Sequence, residues 1–197
     1  MRKYATFLAL LVLLSPLPAS AENYPDTLGL SLSELQKRTG NLKCSESINP
    51  MSEGLSWSCE YKFYSWLNVN EEYVLDDNGK VSTVIVSTRD MPAEEAVKAY
   101  LEEHVWAIRF YGEPRRTIRS QTARPQYLVR EVAKGNFVEV AIWHIGKDNF
   151  LLLFLTGDEG AVTVTWFYAP KEIAVYILGK MTDVEDPYQI LLPDKHH

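Results

Sequence analysis

Phe150–Leu155 reads FLLLFL, a run of six large apolar residues in which both alternating sets of side chains are hydrophobic. Neighbouring side chains of a β-strand point to opposite faces of the sheet, so this strand would be apolar on both faces. Such a strand needs cover on each side, from helices, from another sheet or from a partner chain. We therefore predict that Phe150–Leu155 is a central strand of the fold.

Further strands surround this segment. Sequence patterns predict them at about 126–132, 137–145 and 161–168, and the connections between them are only four or five residues long. Links that short favour an antiparallel meander. Upstream, alternating apolar residues predict three more strands, and Asn78-Gly79 is a strong hairpin-turn signal. These upstream strands span about 57–67, 71–75 and 81–87.

Three segments carry helix signals. Ser31 and Glu34 have the spacing of a capping box, which predicts a helix over about 31–39. A longer helix over about 92–108 has apolar residues at intervals of three and four, and a proline lies in its first turn. A glycine follows each of these two helices, as is typical of a helix end. A third helix is predicted over 171–181.

These elements follow the order helix, three strands, helix, four strands, helix, which we write α-β3-α-β4-α. We interpret the chain as an α+β fold in which antiparallel meanders pack under helices. A helix ending in glycine and followed by a meander occurs twice. This repetition is typical either of one domain over 22–187 or of two tandem α-β modules, at about 28–88 and 90–181, before a tail at 188–197.

The order of elements resembles that of two periplasmic proteins built from two-layer modules, the beta-lactamase-inhibitor protein and the small outer-membrane-assembly lipoprotein. The resemblance covers most of the chain after residue 21, at the level of element order and without a shared motif. The cysteine that carries the lipid in the lipoprotein is absent here. The resemblance implies a periplasmic protein that binds other proteins.

The first 21 residues have the layout of a secretory signal peptide. A short cationic start precedes ten apolar residues at 5–14, and Ala19 and Ala21 fit the −3 and −1 positions of a cleavage site. Ten residues are too few to cross a bilayer core of about 30 Å. We therefore expect a periplasmic or secreted protein that begins at Glu22 and is not anchored in a membrane.

Cys44 and Cys59 are the two cysteines of the chain. Thiols in an oxidising compartment generally pair, so we predict a Cys44–Cys59 disulfide, with two free buried thiols as the alternative. Neither the cysteine spacing nor the two internal histidines, His104 and His144, indicate a metal site, and no cofactor motif is present. The chain also lacks the G-x-S-x-G and H-E-x-x-H motifs, and we predict no catalytic residue.

Six of the nine arginines lie in RFYGEPRRTIRSQTARPQYLVR, residues 109–130, which carries a local charge of +5. The whole chain has a charge of −6, so this segment is a positive region on an acidic protein, and nucleic acid is not expected as a partner. Guanidinium groups bind pairs of carboxylate oxygens. We predict a site for a protein partner or an acidic ligand, made by Arg109, Arg115, Arg116, Arg119, Arg124, Tyr111 and Tyr127.

Three functions remain open. The first is an exported, non-catalytic binding protein that uses the arginine segment. The second is a binder of a small anionic or amphipathic ligand in a cleft between sheet and helix, and the third is an exported hydrolase of unrecognised type. A structural alternative also stands against any such site, because the arginines can pair with carboxylates of the protein itself.

A second candidate surface is aromatic. Tyr64 and Trp66 alternate with one apolar row, and Phe137 and Trp143 alternate with another. If helices cover one face of the sheet, these four rings lie on the other face, where exposed aromatic residues mark interaction sites. The alternatives are a second core layer or a homodimer formed over this face, because FLLLFL requires cover there too.

Overall fold

The computed structural model describes residues 24–40, 42–49, 54–63, 67–120, 127–135, 137–158 and 161–192. These residues form one antiparallel sheet of eight strands, five α-helices and a short 3-10 helix. The α+β class predicted from the sequence is confirmed. The signal-peptide prediction for residues 1–21 lies outside the described residues.

The strands are β1 (Lys43–Ile48), β2 (Leu55–Phe63), β3 (Leu67–Leu75), β4 (Val81–Thr88), β5 (Arg116–Arg119), β6 (Phe137–Ile145), β7 (Asn149–Asp158) and β8 (Ala161–Pro170). The α-helices are α1 (Leu32–Arg38), α2 (Ala93–Tyr111), α3 (Leu128–Ala133), α4 (Lys171–Met181) and α5 (Pro187–Leu191), and the 3-10 helix is Pro25–Thr27. None of the described helices is long and apolar enough to span a lipid bilayer.

The element order differs from the predicted one at four places. β1 and β5 are additional strands, and α5 lies in the segment that was assigned to the tail. The strand predicted at about 126–132 is wrong, because this segment is helix α3. Leu128 and Val132 are four residues apart and both are buried, so the helical period places them together against the core.

The sheet has the strand order β1-β2-β3-β4-β8-β7-β6-β5. It therefore consists of two sets of four strands that meet where β4 pairs with β8, with Val84 opposite Tyr168 and Val86 opposite Trp166. A helix precedes each set, α1 before β1 and α2 before β5. This arrangement is the one that two tandem α-β modules would adopt, and the division into modules stays a prediction.

Strand β7 is central and is covered on both faces, as its sequence predicts. Its side chains at Leu151, Leu153 and Leu155 belong to the larger hydrophobic core, to which α2 contributes. Those at Phe150, Leu152 and Phe154 belong to a second core, to which α4 contributes. Helix α2 packs on β6, β7 and β8, and α4 packs on β7 and β8 from the other side. We call the two sides of the sheet the α2 side and the α4 side.

Two local predictions in the first half of the chain are confirmed. The main-chain N–H of Ser31 donates to Glu34 at 2.8 Å, and the side chain of Ser31 accepts from the N–H of Glu34, which completes the capping box of α1. Cys44 and Cys59 form a disulfide between directly opposed positions of β1 and β2. This bond ties the edge strand β1, which buries few of its side chains, to the rest of the sheet.

Candidate functional site

The arginine segment forms the outer edge of the sheet. Its first residues end α2, its middle forms the four-residue strand β5, and its last described residues belong to α3. β5 pairs with β6, with Arg116 opposite Ile142 and Arg119 opposite Glu139. Among the described strands β5 is the last of the order on this side, so its outer side is an edge of the sheet.

Arg119 is bound internally. Its Nε donates to Oε2 of Glu139 at 2.5 Å, and the hydroxyl of Tyr100 donates to Oε1 of the same carboxylate at 3.1 Å. The Glu139 side chain is only 7% exposed, so two donors compensate a carboxylate that would otherwise be costly to bury. For Arg119, the structural alternative raised by the sequence is therefore realised.

Arg115 also has a structural role. Its guanidinium donates to the main-chain carbonyls of Leu191, at 3.4 Å, and of Leu192, at the end of α5. The side chain of Leu191 is buried in the core on the α4 side. Arg115 thereby holds the C-terminal helix against the edge of the sheet.

The other described arginines of the segment are exposed. Arg109 lies in the last turn of α2, Arg116 lies on β5, and Arg130 lies on α3, 4.0 Å from Glu131 with 73% of its side chain exposed. Arg116 is opposite Ile142, a core residue of the α4 side, whereas α2 and α3 contribute to the core of the α2 side. The exposed arginines therefore flank the edge on both sides and do not form one flat face. Arg124 lies outside the described residues.

The two tyrosines of the predicted site differ in exposure. Tyr127 is exposed at the start of α3, whereas Tyr111 is half-buried, with its ring centre 5.9 Å from that of Trp106. Burial raises the pKa of the Tyr111 hydroxyl, and the nearby charge of Asp26 acts in the same direction. Tyr127 is therefore a surface residue, and Tyr111 belongs to the margin of the core.

The predicted aromatic surface is wrong for Phe137 and Trp143. Both rings are buried in the core on the α2 side, and the indole Nε1 of Trp143 donates to the carbonyl of Gly112 at 2.8 Å. The alternation of side chains along β6 was correct, but one row belongs to the core of the α2 side and Val140 and Ile142 of the other row belong to the core of the α4 side, so a second core layer is present, as the alternative had it. Tyr64 and Trp66 lie outside the described residues.

One flank of α2 contacts β6. Tyr100 bonds to Glu139 of β6, and the ring centre of His104 is 5.4 Å from that of Trp143, also on β6. β6 is the outermost strand on which α2 packs, so this flank faces the β5 side of the sheet. Leu101 and Val105 lie on the outer face of the helix, away from its buried residues, and are 50% and 51% exposed.

Two titratable groups lie beside Glu139 on the flank of α2. Burial lowers the pKa of His104, while the charges of Glu139 and Glu113 oppose this effect. Burial also raises the pKa of Tyr100, as does the adjacent carboxylate of Glu139. Both shifts favour the uncharged forms at neutral pH, so Glu139 and Arg119 are the charged pair of this network.

A separate polar chain crosses the first half of the sheet. The Ser56 hydroxyl donates to Oε1 of Glu72 at 2.6 Å and lies 2.7 Å from the Ser47 hydroxyl. A nucleophilic serine requires an adjacent base such as histidine, but His104 and His144 lie on α2 and β6 in the other half. We assign this chain to cross-strand bonding. Within the described ranges, no three His, Cys, Asp or Glu side chains are grouped so as to hold a metal ion.

Comparisons with known proteins do not place the chain in a family. No protein-family model matches it, and no curated protein or solved structure shows significant similarity to it.

Glu139 is a residue of the site that was missed from the sequence. It lies in the same row of β6 as Phe137, Ala141 and Trp143, and a carboxylate in an apolar row indicates a buried cationic partner. That signal was present, although nothing in the sequence selects Arg119 from the six arginines.

Proposed function

We propose that this protein is an exported, non-catalytic binding protein that holds an acidic segment of another protein along the arginine-bearing edge formed by β5. The observation that carries the proposal is the position of the arginine segment at the outer edge of the sheet, with Arg109, Arg116 and Arg130 exposed around it. Export is supported by the signal-peptide pattern and by the intramolecular disulfide, which is typical of oxidising compartments.

The distribution of charge indicates an acidic partner. The segment carries +5 on a chain of −6, so its exposed guanidinium groups attract acidic groups locally while the rest of the surface repels them. This contrast would orient an acidic partner on approach and select one edge of the molecule. Tyr127, exposed beside the segment, adds an aromatic contact of the kind enriched at interfaces.

The structure gives less support to the two alternatives. A small-anion site in the cleft between sheet and helix would use Arg119, but Glu139 already binds that guanidinium. A hydrolase would need a base beside the Ser56 hydroxyl, whose carboxylate partner, Glu72, is a weak base. A macromolecular partner that contacts the exposed arginines fits the geometry better.

The test uses a labelled peptide of about ten residues in which valine and glutamate alternate, a length typical of a long strand. Fluorescence anisotropy would measure its binding to the wild type and to Arg109→Gln/Arg116→Gln/Arg130→Gln. The matched control is Lys43→Gln/Arg89→Gln/Lys147→Gln, which removes three exposed positive charges elsewhere. We expect roughly tenfold weaker binding by the first variant, and wild-type binding by the control.

Changing the salt concentration and the charge of the peptide would reveal a result that contradicts the proposal. Binding should weaken between about 50 and about 300 mM salt, because screening shortens the reach of exposed charges. A peptide with lysine in place of glutamate should not bind. Equal binding of the two peptides, or of the wild type and the edge variant, would refute the proposal.

A further inference from the structure

The Cys44–Cys59 disulfide lies beside a buried carboxyl group. Cys59 on β2 is directly opposite Glu71 on β3, so the two side chains are neighbours on the α2 side of the sheet. We propose that this disulfide is redox-active and exchanges with dithiols, and that Glu71 delivers a proton to the sulfur of Cys59 as the bond breaks. This activity is independent of the arginine segment, which lies at the other edge of the sheet.

Main-chain pairing places Cys59 next to Glu71. The N–H of Asn49 donates to the carbonyl of Gly54 at 2.9 Å, so this pair is hydrogen-bonded. Bonded and non-bonded pairs alternate along an antiparallel ladder, and Cys44 lies an odd number of positions from Asn49, so Cys44 and Cys59 form a non-bonded pair. Their Cα separation of 4.1 Å agrees with this assignment. The main-chain groups of Cys59 therefore face β3, and the Cβ atoms of Cys59 and Glu71 are about 5 Å apart.

Glu71 has the properties of a buried proton donor. It is 1% exposed, and no described donor reaches either of its oxygens with normal hydrogen-bond geometry. Burial raises the pKa of this carboxyl group, while the hydroxyls of Tyr73 and Tyr24 and the charge of Arg38 partly oppose the rise. Glu71 therefore keeps its proton to a higher pH than an exposed glutamate does, and the same three groups stabilise the carboxylate once the proton has left.

The two sulfurs of the disulfide differ in access. Cys44 is half-buried on the edge strand β1, whereas Cys59 is fully buried. An attacking thiolate therefore bonds to Cys44, and Cys59 is the leaving group. A thiolate is unstable in buried apolar surroundings, because burial raises the pKa of a thiol. Cys59 consequently leaves slowly unless a neighbouring acid protonates it, and Glu71 is the acid in position to do so.

The exchange consists of two displacements. A thiolate of the dithiol bonds to the Cys44 sulfur, the S–S bond breaks, and its electron pair passes to the Cys59 sulfur, which takes the proton of Glu71. The second sulfur of the dithiol, also as a thiolate, then displaces Cys44 from the mixed disulfide, and Cys44 takes a proton from water. The dithiol is oxidised to a disulfide and the protein is reduced to two thiols. The Glu71 carboxylate regains its proton from solvent.

Reduction by dithiothreitol tests the proposal, with the free thiols trapped by N-ethylmaleimide and counted by mass spectrometry. Rate constants are expressed per thiolate, so that titration of the reagent does not affect the comparison. At about pH 5 we expect Glu71→Gln to be reduced at least about tenfold more slowly than the wild type, because a glutamine side chain is not an acid. The difference should shrink toward about pH 8, as Glu71 loses its proton. The matched control is Glu72→Gln, on the opposite face of β3, which should react as the wild type does.

The pH dependence separates proton donation from a change in stability. If Glu71→Gln slowed reduction only by stabilising the fold, its effect would be largest at high pH, where the wild-type carboxyl group is charged. A difference that grows with pH, or no difference at either pH, would therefore overturn the role of Glu71.

The wild-type protein provides a second test that does not depend on how a variant folds. Its rate constant per thiolate should fall as pH rises, and its rate of reduction should increase in proportion to the dithiol concentration. A rate constant per thiolate that does not change with pH would contradict proton donation by Glu71. A rate that does not depend on the dithiol concentration would mean that the bond is reduced only after unfolding, and it would overturn the exchange activity.

Discussion

Glu139 is a charged residue inside an apolar row of β6, and its two oxygens have different partners. Tyr100 reaches it from α2 and Arg119 reaches it from β5, so this one carboxylate connects three elements. Arg119 is itself part-buried, with 27% of its side chain exposed. The short strand β5 is therefore held in place by a side-chain network in addition to its main-chain bonds.

Replacing Glu139 with alanine should destabilise the protein by about 2 kcal/mol. The substitution leaves the Arg119 guanidinium and the Tyr100 hydroxyl without their acceptor, and the partial exposure of Arg119 keeps the loss below that of a fully buried pair. Urea denaturation measures the free energy of unfolding, with Glu46→Ala on β1, an exposed glutamate, as a surface control. A change below about 0.5 kcal/mol, as is usual for surface positions, would show that the network does not stabilise the edge.

Glu71 on β3 is a second buried carboxylate, but no described donor reaches its oxygens with normal hydrogen-bond geometry. Burial raises the pKa of Glu71 above its ordinary value of 4.5, while the Tyr73 and Tyr24 hydroxyls and the charge of Arg38 partly oppose the rise. The folded protein thus holds this proton more tightly than the unfolded chain does. The stabilising contribution is complete below pH 4.5 and is lost as pH rises through the folded pKa.

Glu71→Gln should therefore stabilise the protein at pH 7, by about 1 kcal/mol, and should have little effect near pH 4. Glutamine has the shape of the protonated acid and cannot become charged. Thermal unfolding of both proteins across this pH range would show the difference growing with pH. A constant difference at all pH values would mean that Glu71 does not titrate in this window.

At the scale of elements, the sequence predicted the features that depend on residues close together in the chain. The capping box of α1 and the limits of α4 follow from adjacent residues, and the two-sided burial of β7 follows from its own composition. The segment 128–133 was assigned wrongly because a short apolar run fits a strand and a helix equally well until a core selects one. Likewise, the alternation on β6 was read correctly, but whether Phe137 and Trp143 are exposed depends on α2, which is distant in sequence.

The same limit applies to the candidate site. The arginine segment was identified by charge alone, but the internal partners of Arg119 and Arg115 lie far along the chain, at Glu139 and Leu191. The edge position of β5 is also a property of the completed sheet. Sequence reasoning therefore located the segment, and the tertiary structure determined which residues of it face solvent.

At the scale of the whole molecule, the two edges of the sheet are held in different ways. β1 is secured to β2 by the disulfide, and β5 is secured to β6 through Arg119 and Glu139. The edges lie at opposite ends of an eight-stranded sheet, so a change at one should not alter binding at the other. Because of this separation, stability and peptide binding can be tested independently.

Reduction of the Cys44–Cys59 bond should lower the free energy of unfolding by about 3 kcal/mol, the value expected for a closed loop of this length. Peptide binding at 25 °C should not change as long as the protein remains folded. The measurements are thermal unfolding and anisotropy with and without reductant, and Cys44→Ser/Cys59→Ser checks for side effects of the reagent. A loss of binding that precedes unfolding would show that the two edges are coupled.

The pairing of β4 with β8 affects how the protein folds during synthesis. Val84 meets Tyr168, so the seam at the middle of the sheet joins positions about half a chain apart, and its last strand emerges late from the ribosome. Contacts so remote in sequence form slowly, because a large loop must close before they can contribute. Until β8 has been synthesised, β4 has no strand to pair with on that side, and the sheet stays incomplete. Under the export proposed above, which requires an extended chain, such delayed assembly is an advantage.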